Sequence, residues 1–132
     1  MQEVRNPAPQ VAGPDELGPE QIVARARQFI AANLRIHLKP STIARAIGVS
    51  AQDLVGSYTC ATITSLNKDI ARLRLQAFHT LIHRAPEASL HSLAAQAGLQ
   101  MGERLQQDFK QEFLVSIEEH RRHCYRRHRS QA

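Results

Sequence analysis

The side chains with the widest chemical reach in this sequence are its histidines and its two cysteines. His79 and His83 stand four residues apart, a spacing that on a helix can present two nitrogens to one metal ion, and His120, His123, Cys124 and His128 make a second cluster. A metal centre also needs a third ligand and a supporting shell of hydrogen-bond partners, and no acidic residue stands at matching spacing, so no metal site is expected. The sequence contains no GxSxG, HExxH, phosphate-loop or paired-carboxylate arrangement. It is therefore read as a non-enzyme, with no catalytic residues and no cofactor. Cys60 and Cys124 lack CxxC spacing and are too few for a disulfide scaffold, so both are expected as free thiols.

The other chemistry on offer is positive charge. The 132 residues carry 17 Lys+Arg against 12 Asp+Glu, a net of +5. Residues 1–20 are net −3, so residues 21–132 are net +8. Arg121, Arg122, Arg126, Arg127 and Arg129 lie in the last thirteen residues, interleaved with His120, His123 and His128. Such a run fits either a polyanionic partner or a solvated tail. No run of 18 apolar residues and no secretory start occur, so a cytoplasmic protein with no membrane partner is expected.

The elements that must position these groups follow from periodicity. Four of the six prolines and two of the six glycines fall in the first nineteen residues, which read as a flexible arm, 1–19. Ile22, Ala26, Phe29, Ile30 and Leu34 then recur at helical spacing, and nothing later alternates with period two long enough to make a strand. With only 5% aromatic residues and no Trp, a core of Leu, Ile, Val and Ala points to small packed helices and an all-α fold.

Internal repetition is the most informative pattern. The stretch 38–49 is echoed fifty residues later at 88–99, matching Ile43 with Leu93, Ala44 with Ala94, Gly48 with Gly98 and Val49 with Leu99. After the glycine the offset becomes fifty-one, pairing Leu54 with Leu105, Tyr58 with Phe109, Ile63 with Leu114 and Leu66 with Ile117. Each copy has helix-turn-helix chemistry. Pro40 or Leu90 starts a short helix, with Ser89 an N-cap for the second, and a glycine stops that helix where positive φ is needed. Two apolar residues at i and i+4 then hold a second helix down. Between the copies Ile70, Leu73, Ala77 and Leu81, with Phe78, define one helix from about Leu66 to Ile82, a spacer that keeps two groove-reading helices about one duplex turn apart.

With these residues the chain resembles the DNA-binding domain of the AraC/XylS family of bacterial transcription regulators, from about Ile22 to Arg122. Ser89-Leu90, Leu93-Ala94, Ala97-Gly98, Leu105, Phe109-Lys110, Phe113 and Arg121 fall on the family's characteristic positions, and Arg74-Leu75 on its linker Arg-Leu. The sequence departs from the pattern at Ile63 and Leu114, where a glycine is usual, at Leu66 and Ile117, where a proline is usual, at Asp69, where an aromatic is usual, and at Leu99, where phenylalanine is usual. The resemblance implies two helix-turn-helix subdomains, 20–65 and 84–122, a linker helix at 66–83 and a basic C-terminal tail at 123–132.

It also implies which residues meet DNA. The first recognition helix would present Gln52, Val55, Gly56 and Thr59; Gln52 suits adenine, Thr59 a phosphate, and Val55 and Gly56 make no directional contact. The second would present Glu103, Arg104, Gln106, Gln107 and Lys110, with the glutamines for adenine, Arg104 for guanine or phosphate, and Lys110 for phosphate. Further phosphate contacts are assigned to Lys39, Arg45, Arg74, Arg121, Arg122, Arg126 and Arg127, because the reading helices themselves carry almost no net charge. The expected function is a sequence-specific regulator reading two adjacent major-groove segments of double-stranded DNA, a monomer on DNA associated with the nucleoid, with RNA polymerase or another regulator as a further partner. The alternative is a protein-interaction module, an anti-activator or co-regulator, that keeps the fold with weak or no base reading; Asp53, Val55, Gly56 and Asp108 motivate it, and the apolar turns at Ile63, Leu66, Leu114 and Ile117 would supply a sticky surface.

Overall fold

The computed structural model describes residues 17–131, with side chains through Arg129; most of the expected N-terminal arm lies outside the described residues. Seven helices and no strand occur among them: α1 (Pro19–Ala32), α2 (Pro40–Ile47), α3 (Ala51–Ala61), α4 (Leu66–Arg84), α5 (Leu90–Gln96), α6 (Glu103–Phe113) and α7 (Ile117–Gln131). The fold is all-α. Two compact units divide it, one built from α1 to α3 and the start of α4 through Ile70, the other from residues 33–37 and the chain from Ala71 onward.

Within the first unit, α1 packs against both α2 and α3. Ile22, Val23, Ala26 and Ile30 of α1 are buried, as are Ile43 and Ala44 of α2 and Leu54 and Tyr58 of α3. Within the second unit, Leu75, Phe78 and Ile82 of α4 meet Leu93, Ala94 and Ala97, Leu105 and Phe109 of α6, and Ile117 of α7. The Phe78 and Phe109 rings meet edge to face at 5.9 Å, a favoured aromatic geometry.

The repeat is visible bond by bond. The Val49 N–H donates to the Ala44 carbonyl at 3.0 Å, and the Leu99 N–H donates to the Ala94 carbonyl at 2.8 Å, the same closing bond in each turn. Gly48 and Gly98 both sit in the left-handed region, at φ 83° and 77°. The caps do not follow the repeat: Ser50 caps α3, accepting from the Asp53 N–H, and Ser89 caps α5, accepting from the Ser92 N–H, whereas Lys39 before α2 and Gly102 before α6 make no side-chain cap. At α7, Ser116 Oγ accepts from the Glu119 N–H at 3.0 Å while Glu119 Oε1 accepts from the Ser116 N–H at 2.9 Å, a reciprocal capping box. These bonds hold the Glu119 carboxyl below its ordinary value.

The stretch read as a tail is helical through Gln131. One stripe of α7, Ile117, His120 and Cys124, is buried, whereas every described residue from Tyr125 to Arg129 is exposed. A stripe made of isoleucine, histidine and cysteine is too mixed to stand out as an apolar period.

Candidate nucleic-acid interface

α6 turns two faces in opposite directions. Leu105 and Phe109 are buried at i and i+4, and this fixes the rotation of the helix. Glu103, Arg104, Gln106, Gln107 and Lys110 all fall outside that stripe and are exposed. Arg104 Nε lies 3.4 Å from Asp108 Oδ2 with 90% of the arginine side chain in solvent, so this i,i+4 pair is weak and leaves Arg104 available. α5, the Gly98 turn and α6 form the second helix-turn-helix.

α3 offers less. Leu54, Ser57 and Tyr58 face inward. Gln52, Val55, Gly56 and Thr59 are exposed, but Gln52 and Gly56 also line a groove against Leu17, Pro19 and Ile22 at the start of α1. Thr59 Oγ1 donates to the Val55 carbonyl at 3.3 Å, within its own helix.

Among the cations assigned to phosphate, Lys39, Arg45, Lys110, Arg122, Arg126 and Arg127 are exposed. Arg121 is half-buried and donates from Nη2 to Glu118 at 3.1 Å. Arg74 has a different position: its Nε donates to the Leu34 carbonyl at 3.1 Å and its Nη2 to the Ile36 carbonyl at 2.9 Å. Two of its donors thus brace the loop at residues 33–37. Beside it, a Cβ placed on Gly98 would overlap the Leu34 carbonyl oxygen, so the turn, the loop and Arg74 close on one another.

Two features were not evident from the residues alone. In the first unit Asp69 is fully buried, with Oδ2 accepting from Tyr58 Oη at 2.8 Å and from Arg27 Nε at 2.6 Å. One carboxylate thereby ties α1, α3 and α4 together. Burial and this carboxylate push the Tyr58 hydroxyl well above its ordinary value, so it remains a donor. The second feature is a histidine cluster. Cys124 Sγ lies 3.8 Å from Nδ1 and 3.6 Å from Nε2 of His120, nearly equal distances that place the sulfur along neither lone pair. Burial also pushes the Cys124 thiol up, away from the thiolate a metal requires. Among the described residues no group of three such side chains is placed to hold a metal ion.

Of the two apolar turns, Ile63 and Leu114 are fully or largely exposed, at 108% and 83%, whereas Leu66 and Ile117 are buried. An apolar surface can therefore use only the first pair. No helix among the described residues is long and apolar enough to cross a membrane.

Each unit thus has a helical core with a glycine turn between two helices, the second of which keeps one face buried and the other exposed, the architecture of a double helix-turn-helix fold. The fold is that of an AraC-type DNA-binding domain. A crystal structure of a transcriptional regulator from Chromobacterium violaceum, described as an AraC-type DNA-binding domain-containing protein, superposes with a TM-score of 0.72 over 80% of this chain and 93% of that chain, at 21% sequence identity. No family model matches the sequence, and no curated protein matches it.

Proposed function

We propose that the protein is a sequence-specific transcription regulator that binds double-stranded DNA, with α6 as its principal reading helix. The observation that carries this reading is the outer face of α6, where Arg104, Gln106 and Gln107 stand exposed opposite the buried Leu105 and Phe109. Glutamine pairs bidentately with adenine and arginine with guanine in the major groove. The fold likeness to a regulator supports the same reading. α3 contributes a second, weaker contact through Gln52, and the exposed cations Lys39, Arg45, Lys110, Arg122, Arg126 and Arg127 supply phosphate neutralisation. In this reading the protein binds as a cytoplasmic, nucleoid-associated monomer across two adjacent major-groove segments, in the domain arrangement set out from the sequence, with RNA polymerase or another regulator as a further partner.

The exposed side chains of Ile63 and Leu114 favour a second reading, a protein-interaction module with little base recognition. Fluorescence titration of the intact chain with random and selected duplexes at two salt concentrations separates the two. Binding at low salt that weakens steeply as salt rises, with a selectable preferred sequence, supports the regulator. No duplex binding at low salt removes it in favour of the interaction module.

A further inference from the structure

The packing of α7 on the second unit depends on an unusual set of side chains. The His79 ring on α4 and the His120 ring on α7 stack with centroids 3.9 Å apart and planes 19° apart. His120 Nε2 donates to the His79 carbonyl at 3.2 Å. Cys124 Sγ sits 3.6 Å from His83 Nδ1, and His128 Nε2 donates to the His83 carbonyl at 2.7 Å. Phe113 of α6 closes the far side, its ring 4.3 Å from that of His79. Where most helix pairs use aliphatic side chains, this contact uses groups that can take up protons.

We propose that His79 and His120 form a proton-operated latch, which holds α7 on α4 while both rings are neutral and releases α7 when acid charges them. Two imidazolium rings stacked at this distance would repel across a partly desolvated contact, so the face-to-face arrangement does not suit two charged rings. The groups facing the pair offer no compensation. α4 adds His83, α7 adds His123 and Cys124 with Arg127 near the thiol, and α6 presents Phe109 and Phe113. The nearest carboxylates along α7 are turned elsewhere, Glu118 to Arg121 and Glu119 to the Ser116 N–H, with Lys110 and Arg122 acting on Glu119.

Burial, with the neighbouring histidines adding to it, holds both rings below the ordinary histidine value of 6.5; the His79 carbonyl partly offsets this for His120. A chain with α7 released takes up protons near the ordinary value, and the docked chain resists until lower pH, so the contact is at full strength above that value and weakens as pH falls below it. Release would also move Arg122, Arg126 and Arg127; that consequence rests on the DNA-binding reading, whereas the latch itself is measured without DNA.

The test is hydrogen exchange followed by mass spectrometry on the intact chain at about pH 7.5 and about pH 5.5, with rates normalised to unstructured peptides. Helices α1 to α3 contain no histidine and serve as an internal reference. Protection across residues 117–129 should fall by at least about tenfold at the lower pH, where a released chain would hold both rings mostly charged, with α1 to α3 little changed. His79→Phe keeps a stacking ring that cannot be charged, leaves only His120 of the pair to take up a proton, and should shrink the response by at least about threefold. Equal α7 protection at the two pH values, or an undiminished response in His79→Phe, overturns the latch. If that variant does not fold, the ring-proton NMR titration of the unaltered protein decides: midpoints below the ordinary value for both rings are expected, and either midpoint at or above it overturns the proposal.

Discussion

Tyr58 donates its hydroxyl to Asp69 Oδ2 at 2.8 Å across the interior of the first unit, where the tyrosine is 1% and the aspartate 0% exposed. The same oxygen accepts from Arg27, whose side chain is 39% exposed, so water shares in solvating the cation. Asp69→Asn should cost about 2 kcal/mol, less than a fully buried ion pair because the arginine can turn outward. Tyr58→Phe alone should cost about 1 kcal/mol. The two are in direct contact, so a double-mutant cycle by urea unfolding should return a coupling of at least about 0.5 kcal/mol. Additive losses would mean that the hydroxyl and the carboxylate act independently.

Gly48 and Gly98 occupy matching places in the repeat and share a positive φ, yet substitution should separate them. At Gly48 nothing lies within 4 Å of the methyl that alanine would add, so the change meets only the backbone preference, about 1 kcal/mol. At Gly98 the methyl meets the Leu34 carbonyl oxygen and the Arg74 guanidinium, and a backbone atom cannot rotate away. Gly98→Ala should therefore cost at least about 2 kcal/mol more than Gly48→Ala. Thermal unfolding of the two variants side by side checks this, and equal Tm losses would contradict it.

How much of this was legible in the sequence depends on how far apart the partners lie. The helix starts at Pro40 and Leu90, the turns at Gly48 and Gly98 and the buried pairs Leu54 with Tyr58 and Leu105 with Phe109 follow from local rules acting over a few residues. The spacer helix, read as ending near Ile82, ends at Arg84. Asp69 carried no such signal, because its partner Arg27 is 42 residues away and a lone aspartate near a helix start reads as solvated. The histidines were silent in a different way. Their i,i+4 spacing was weighed for metal ligation and set aside, and it gave no hint of their contacts, because the ring that stacks on His79 comes from 41 residues downstream and that pairing needs α7 to be helical. Arg74 likewise matched the resemblance, while its engagement with the Leu34 and Ile36 carbonyls could only come from the folded chain.

Among the described residues Leu114 is the non-glycine residue with positive φ, at 66°, and its side chain is 83% exposed. It therefore combines left-handed strain with little packing in return. Leu114→Gly should raise stability by about 0.5–1 kcal/mol, the strain relief exceeding the greater freedom of glycine in the unfolded chain. Ile63, its counterpart in the first unit, lacks the positive φ, so Ile63→Gly should give no gain. Divergent responses in denaturant midpoints are expected; a loss at Leu114 would mean that its side chain packs more than its exposure indicates.

Reading and gripping DNA should separate by mutation because α6 and α7 carry different chemistry. Arg104→Ala and Gln107→Ala remove directional donors that suit base edges, so each should cost about 1–3 kcal/mol on the preferred duplex and flatten the distinction between sequences. Arg122→Gln, Arg126→Gln and Arg127→Gln remove exposed charges on α7, so they should weaken every duplex alike. If about six phosphates are neutralised, affinity should fall with salt at a logarithmic slope of roughly −5, and each glutamine should reduce that slope by about 1. Titrations over a range of salt concentrations measure both quantities. Should sequence preference survive the loss of Arg104 and Gln107, base recognition would have to move to α3, where Gln52 is the side chain best suited to it.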